Sequence, residues 1–412
     1  MNYVIIGNGT AATGVIEGIR VVDHESPITV ISSEPYPVYG RPLISYMLLG
    51  KTTEEKMLQY RPTDFYEKNG VTTMLGKTVS AVDSAAKTVT LESGEVIPYD
   101  KLCIATGSRP FVPPMDGLDS VEAQTPFMTL DHAKRLRELF GENRNKRVLI
   151  VGAGLIGLKC AEGIINLAQS ITVCDLAPRI LPNVLEEHPA SIIQKHIEKQ
   201  GVKFLLNDSV AHFEPNQAQM KSGAVVDFDV LVVAVGVRPN TDLAAMAGCE
   251  VNRGILLNDH MQTSVPDIYA AGDCTVSHDI AAETDRILAI LPNAYMQGET
   301  AGMNMAGGNR AFDKSIPMNA SGFMGLHMIT AGSYEGEAYI VEDEDSYKML
   351  VTKDDRLRGF ILIGDVERAG IYTSLIREKT PLSSIDFDLI KERPQLMAFS
   401  STERVHKLGR AH

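Results

Sequence analysis

One pattern occurs twice in this chain. The run YVIIG (Tyr3–Gly7) is a short apolar strand ending in glycine; a helical stretch follows from about Thr10 to Arg20, and ITVIS (Ile28–Ser32) closes the unit. The same order returns at RVLIVG (Arg147–Gly152), a helix to about Leu167, and ITVCD (Ile171–Asp175). Strand, glycine turn, helix and strand make a parallel βαβ unit, so the chain is expected to hold two separate dinucleotide-binding folds. Two further segments extend the duplication. TVTLESGEVIPYDKLCIATGSRP (Thr88–Pro110) follows the first unit and VVDFDVLVVAVGVRPN (Val225–Asn240) follows the second, each reading as a short antiparallel piece returning to a buried strand.

The turns themselves carry the chemistry. The first is Gly7-Asn8-Gly9-Thr10-Ala11-Ala12 and the second Gly152-Ala153-Gly154-Leu155-Ile156-Gly157. In such a turn the first glycine permits the tight bend and the second lets a pyrophosphate approach the backbone. The small third residue, Ala12 or Gly157, lets helix and strand pack closely. The helix start then offers unpaired N–H groups and partial positive charge to the phosphates. Asp175 ends the strand after the second turn, where a carboxylate binds an adenosine ribose and repels a 2′-phosphate. That favours NADH; Arg179 nearby leaves NADPH open as the less favoured donor. In the first unit the corresponding acid is Glu34, slightly further along than the ideal spacing of about 20 residues.

Composition narrows the rest. The chain has 412 residues, 44% hydrophobic and 22% charged, enough for two or three packed domains. A formal net charge of -13 argues against nucleic acid and anionic membranes as partners. No apolar run approaches the ~20 residues of a membrane helix. The N-terminus reads as a strand and not as a signal peptide. The five cysteines (Cys103, Cys160, Cys174, Cys249 and Cys274) form no CxxC pair, so neither a metal site nor a local redox disulfide is expected. A cytoplasmic location suits that composition.

Two dinucleotide folds, ATGSRP after the first, VGVRPN after the second, and AAGDC at Ala270–Cys274 resemble the FAD-dependent pyridine nucleotide–disulfide oxidoreductase superfamily over roughly residues 1–330. The run EPYPVYGRPLISYMLLGK (Glu34–Lys51) is similar to NADH-dependent rubredoxin and ferredoxin reductases and to nitrite-reductase-type flavin subunits. The resemblance implies an α/β chain with two Rossmann-like domains, glutathione-reductase-like, and a C-terminal α+β domain. The boundaries drawn are 1–113 with 245–315 for FAD, 114–244 for NAD, and 316–412 for a domain that forms an interface or supports the flavin. FAD would meet Gly7, Gly9, Ala12, Glu34, Arg41, Pro42, Thr106, Gly107, Arg109, Gly272 and Asp273. A helix beginning at LPNA (Leu291–Ala294, hence Pro292, Asn293 and Ala294) would aim its N-terminus at the flavin pyrimidine. NADH would meet Gly152, Gly154, Gly157, Asp175 and Gly236.

Two departures matter. Disulfide-dependent branches carry a cysteine on the helix that starts near residue 41; here Pro42 takes that place and Tyr39–Lys51 has none. The reaction implied is hydride transfer from NADH to FAD N5, with electrons then leaving directly for a small iron–sulfur or rubredoxin-type carrier. An NADH oxidase reducing dioxygen, and a low-turnover flavin sensor or scaffold, are the alternatives. Second, ferredoxin reductases often read RPPLSK with a glutamate on the NAD helix, whereas here Tyr46 follows Ser45 and Lys159 follows Leu158. Lys159, Glu162 and Tyr46 are therefore the candidate catalytic group, with Lys159 facing the flavin–nicotinamide contact or, equally, solvent. The tail Glu403–His412, with Arg404, Lys407 and Arg410, is a candidate docking patch for an acidic carrier or a frayed end. A homodimer is left open.

Overall fold

The computed structural model describes residues 1–142 and 145–409, with side chains up to residue 405. The side chain of Lys407 and the whole of Arg410 lie outside the described residues; Arg404 donates to the Phe399 carbonyl at 3.2 Å. Among the described residues, no helix is long and apolar enough to cross a membrane.

The chain divides into two compact units, Met1–Val276 with Leu291–Phe312, and Ser277–Ile290 with Asp313–His412. The first opens with β1 (Tyr3–Ile6), α1 (Thr10–Val22) and β2 (Ile28–Ser32). Three short helices follow, α2 (Leu43–Leu48), α3 (Glu54–Met57) and α4 (Phe65–Lys68), then β3 (Val71–Leu75). An antiparallel sheet of β4 (Val79–Asp83), β5 (Thr88–Leu91) and β6 (Val96–Pro98) leads to β7 (Lys101–Ile104) and β8 (Ser108–Pro110). The second half repeats this plan. After β9 (Gln124–Pro126) and α5 (Leu130–Phe140) come β10 (Arg147–Val151), α6 (Leu155–Ile164), β11 (Ser170–Asp175), α7 (Glu187–Glu198) and β12 (Val202–Leu206). The antiparallel sheet recurs as β13 (Val210–Glu214), β14 (Gln217–Met220) and β15 (Val225–Asp227), followed by β16 (Val230–Val233), β17 (Val237–Pro239) and α8 (Asp242–Met246).

The duplication extends to strand order. The first parallel sheet runs β18-β7-β1-β2-β3, with β18 at Ile268–Ala270, and the second runs β9-β16-β10-β11-β12. Equivalent strands occupy equivalent places, except that the edge beside β7 is filled from later in the chain and the edge beside β16 from earlier. Both small sheets carry a register shift in their first strand, between Val79 and Ala81 and between Val210 and His212. Successive residues of β1 feed two cores: Tyr3 and Ile5 join one cluster, Val4 and Ile6 the other. A parallel sheet covered on both faces needs apolar residues at every position, which is why YVII reads as a continuous run.

A long helix, α9 (Leu291–Met305), packs on α1 with almost no side chain between the backbones. A Cβ at Gly298 would lie 2.1 Å from the Ala11 carbonyl oxygen, and one at Gly302 would lie 2.1 Å from that of Val15. From the other side, a Cβ at Gly14 would meet the Tyr295 carbonyl at 2.3 Å. Gly302→Ala is therefore expected to force the helices apart at a cost of about 2–3 kcal/mol. A lowered midpoint in denaturant unfolding checks it; an unchanged midpoint would mean the two backbones do not need this approach.

The second unit is built on one antiparallel sheet, ordered β21-β22-β25-β24-β23, with β21 at Met318–Phe323, β22 at Leu326–Gly332, β23 at Glu337–Glu342, β24 at Tyr347–Lys353 and β25 at Arg356–Ile363. Phe360 of β25 packs on Tyr372 of α10 (Ala369–Arg377) at the centre of its core. The hairpin of β19 (Ser277–Asp279) and β20 (Thr284–Arg286) belongs to this unit, and its Ile280 and Ala281 enter that core. The segment 277–290 thus groups with the C-terminal unit by compactness, although it lies within the stretch 245–315 drawn from the sequence for FAD. Two short helices, α11 (Phe387–Glu392) and α12 (Ser401–Gly409), end the described chain.

Candidate functional site

The two glycine turns have nearly the same geometry. Gly7 has φ +110° and Gly152 has φ +116°, values open to glycine and costly for other residues. A Cβ at Gly7 would lie 2.1 Å from the Ala105 carbonyl oxygen, and one at Gly152 would lie 2.3 Å from that of Ala234. The second glycines differ in kind. Gly9 and Gly154 have extended backbone, and a Cβ on either would meet nothing within 4 Å. They sit at the N-caps of α1 and α6, and neither helix receives a side-chain cap. Some helices are capped by a side chain, as where Thr129 accepts from His132 N on α5 and Asp386 from Leu389 N on α11, while α2, α4, α7, α8 and α10 are not. What sets α1 and α6 apart is the open space in front of a glycine N-cap. Both turns therefore direct uncapped N–H groups into open space, which is the donor set a pyrophosphate requires.

A cavity of about 460 Å³ opens at the first turn. Of the residues expected to hold FAD, Gly7, Gly9, Glu34, Arg41, Thr106, Gly107, Gly272, Asp273 and Ala294 line it. The others do not. Ala12 is fully buried in the core, Pro42 caps α2, Pro292 lies outside the lining and Asn293 is buried within α9. Arg109 is half exposed and turns to Asn240 and Asp242, at 2.8 and 3.2 Å. At the heart of the cavity Arg41 pairs with Glu34, which also accepts from the Tyr39 hydroxyl at 2.5 Å. Asp273 accepts from Ser108 Oγ at 3.1 Å. Burial raises its carboxyl above the usual range, while Ser108 and Arg41 pull it back.

Sequence reasoning missed part of this wall. Lys77–Ser80 enters from the antiparallel sheet and Leu243 and Met246 from α8. Asn240 was read only as the end of a return, yet it ties the returns together. Thr106 Oγ1 donates to the Asn240 carbonyl at 2.7 Å, and Asn240 Nδ2 donates back to the Thr106 carbonyl at 2.9 Å. The loops ATGSRP and VGVRPN, matched in sequence as duplicates, pair with each other as the two-stranded ribbon β8–β17.

At the second turn, Asp175 braces the glycine loop. Its carboxylate accepts from Ala153 N at 2.7 Å and from Ala177 N at 2.8 Å, leaving lone pairs for further donors. Gly236 has φ +123° and open space at its Cβ position, as does Gly107 in the first return. Arg179 bonds the Leu185 and Pro182 carbonyls.

Lys159, Glu162 and Tyr46 form a separate cluster and do not line the cavity at the first turn. Lys159 pairs with Glu162 one helical turn on and sits 4.4 Å above the Tyr46 ring. The side chains are 16% and 4% exposed, so Lys159 is not a solvated helix lysine. α2 carries Tyr46 against α6, and the contact is close: a Cβ on Gly163 would lie 3.0 Å from the Ser45 carbonyl oxygen.

All five cysteines are reduced and buried. Burial pushes the Cys174 thiol up to about 12 and the Cys274 thiol up to about 11, and it raises the others as well. A reactive thiolate needs the opposite environment. Among the described residues, no cluster of His, Cys, Asp or Glu could hold a metal.

The profile of the pyridine nucleotide-disulphide oxidoreductases matches residues 1–298, and that of the rubredoxin NAD+ reductase C-terminal domain matches residues 317–380. The chain belongs to the pyridine nucleotide-disulphide oxidoreductase family. Members of this flavoprotein oxidoreductase family bind FAD and NADH. Among its relatives is the nitrite reductase [NAD(P)H] of Bacillus subtilis, 33% identical over 392 residues, covering 92% of this chain and 48% of that one. The chain thus spans about half the length of that relative. Another is the epsilon subunit of the NADH-dependent phenylglyoxylate dehydrogenase of Aromatoleum evansii, 31% identical and covering 93% of both chains. Putidaredoxin reductase, solved in covalent complex with putidaredoxin, shares the fold with a TM-score of 0.86 at 24% identity, covering 99% of both chains.

Proposed function

We propose that this chain takes reducing equivalents from NADH onto bound FAD and passes them directly to a small iron–sulfur or rubredoxin-type carrier. The observation that carries the reading is the pair of uncapped, glycine-turned helix starts within one compact unit. We assign residues 1–113 with 245–315 to FAD, apart from the segment 277–290 that groups with the C-terminal unit, 114–244 to NADH and 316–412 to a supporting domain. The residues present fit both cofactors: the open Cβ positions of Gly9 and Gly154 leave room for a pyrophosphate at each N-cap. FAD, when bound, supplies the exchange between hydride and single electrons that no side chain can perform.

The chain's own residues position and insulate. Gly7 and Gly152 hold the turns, and α1 and α6 present their N–H groups to phosphate. Arg41 and Glu34 meet phosphate and ribose in the first fold; Asp175 accepts ribose hydroxyls in the second. The N-terminus of α9, at Leu291 and Ala294, borders the FAD cavity and adds its partial positive charge there. Lys159, held by Glu162 and Tyr46, is the cation we place at the flavin–nicotinamide contact. With every thiol buried and raised, a disulfide relay has no nucleophile, so electrons leave from the flavin. A protein acceptor agrees with the rubredoxin reductase profile at residues 317–380 and with the carrier-bound relative of the same fold.

The test is an anaerobic titration with NADH and NADPH read by the flavin spectrum, followed by rubredoxin, ferredoxin or air. NADH should bleach the flavin at lower concentration than NADPH, and a carrier should reoxidise it faster than air. Reoxidation fastest by air would make the chain an oxidase; no bleaching by either nucleotide would end the reading. Asp175→Asn should cut the preference for NADH over NADPH by about 10- to 100-fold, the worth of a hydrogen bond to a charged group. An unchanged kcat/KM ratio would remove Asp175 from the ribose site.

A further inference from the structure

The two folds hold their ribose acids by different means. In the second fold Asp175 directly follows Cys174, whose carbonyl accepts from Gly152 N at 2.8 Å. In the first fold Ile31 takes that place, accepting from Gly7 N at 2.8 Å, and the residue after it is Ser32. Strand register agrees: Ile31 pairs with Ile6 and Cys174 with Val151, each the last residue of its strand. Glu34 therefore lies two residues beyond the place of Asp175. Asp175 is braced by the backbone N–H groups of Ala153 and Ala177. Glu34 is braced by side chains from the loop that follows it.

Arg41 pairs with one oxygen of Glu34, and Tyr39 donates to the other at 2.5 Å. Tyr39 is buried, and its hydroxyl is fixed from the far side, where it accepts from Leu130 N at 3.1 Å. Leu130 opens α5, so this N–H is one of those that a helix start leaves unpaired. The Thr129 side chain answers a different one, that of His132. α5 follows β9, an edge strand of the second parallel sheet. One phenol thus joins a helix of the second fold to the ribose acid of the first. Burial, foremost, raises the Tyr39 hydroxyl above its ordinary range, so it is protonated and donates. Glu34 keeps access to its ligand: it lines the cavity at the first turn, and its side chain is 22% exposed. Each carboxylate oxygen has a second lone pair for a ribose hydroxyl.

We propose that Tyr39 is a positioning residue for the cofactor: held by α5, it aims the Glu34 carboxylate at the adenosine ribose of FAD. This role rests on the assignment of FAD to the first turn. It makes the second fold a part of the first fold's ribose site, since the direction of the phenol is set by a backbone N–H of α5.

The experiment is flavin exchange on the loaded protein. FAD-loaded protein is equilibrated with mixtures of FAD and an analogue whose adenosine lacks both ribose hydroxyls, and the bound flavins are separated and quantified. The ratio of two affinities on one protein cancels any general loss of stability. Wild-type protein should prefer FAD about tenfold or more, as a hydrogen bond to a charged group allows. Tyr39→Phe keeps the ring and removes only the hydroxyl, and should erase most of that preference. Glu34→Gln should do the same, and the double variant should lose no more than Glu34→Gln alone. Leu130→Pro deletes the α5 N–H at a helix position that proline favours, and decides the question if Tyr39→Phe holds no flavin. A Tyr39→Phe protein that loosens both flavins alike and keeps the preference overturns the proposal and leaves FAD at the first turn. No preference in the wild type, or an intact one in Glu34→Gln, removes Glu34 from the ribose and the role of Tyr39 with it.

Discussion

Gly154→Val is expected to leave the protein folded and loaded with FAD while weakening NADH about 100-fold, equivalent to about 2.7 kcal/mol. The argument is steric and has two halves. Gly154 has φ -80° and ψ -176°, an extended conformation that valine adopts readily, and a Cβ there would touch nothing within 4 Å. The fold therefore has no stake in this glycine. The pyrophosphate has one, because the added side chain stands where the phosphates must reach the N–H groups of α6. Gly157→Ala is the control with the opposite signature. Its Cβ would lie 1.9 Å from the Gly152 carbonyl oxygen, so the turn itself must move. Stability should fall in Gly157→Ala and hold in Gly154→Val, as read by thermal unfolding beside NADH binding. If Gly154→Val binds NADH normally, the second turn is not the nucleotide cradle.

Lys159→Met is expected to cost about 3 kcal/mol of stability and to slow flavin reduction by NADH about tenfold. The first effect follows from burial. Glu162 is 4% exposed, and removing Lys159 breaks an ion pair held inside the protein. The cation above Tyr46 is lost as well, at about 1 kcal/mol or more when desolvated. The second effect rests on our placement of Lys159 at the flavin–nicotinamide contact. The double variant Lys159→Met/Glu162→Gln separates them. It removes the buried negative charge together with the positive one, so part of the stability should return, while reduction by NADH stays slow. Recovery of the rate together with stability would make the pair a structural device between α2 and α6 and nothing more.

What could be read from residues alone follows the range of the interactions. The two glycine turns were legible because each needs only a strand, a tight turn and a helix within about 30 residues. The repeated returns were legible for the same reason, but not that ATGSRP would pair with VGVRPN. That contact joins Ser108 to Pro239 across the whole second fold, and the signal, Asn240 at the end of the second loop, looks like an ordinary turn asparagine. Lys77–Ser80 in the cavity at the first turn escaped because a sheet edge is placed by its packing, not by its own pattern. The hairpin Ser277–Arg286 was read as part of the first fold since it interrupts a continuous stretch of that fold's sequence. The Lys159–Glu162 pair was seen from its helical spacing; its burial under Tyr46 was not, because spacing says nothing about what covers a helix face.

The buried thiols have a practical consequence. A maleimide added to the native protein should find no cysteine to alkylate, since all five are enclosed and their thiols are raised. The wild-type chain is then already a blank background for single-cysteine labelling. A reporter or cross-linker placed at any chosen surface position would be the sole modified site, and the footprint of an electron carrier could be mapped without first stripping the chain of its own sulfur.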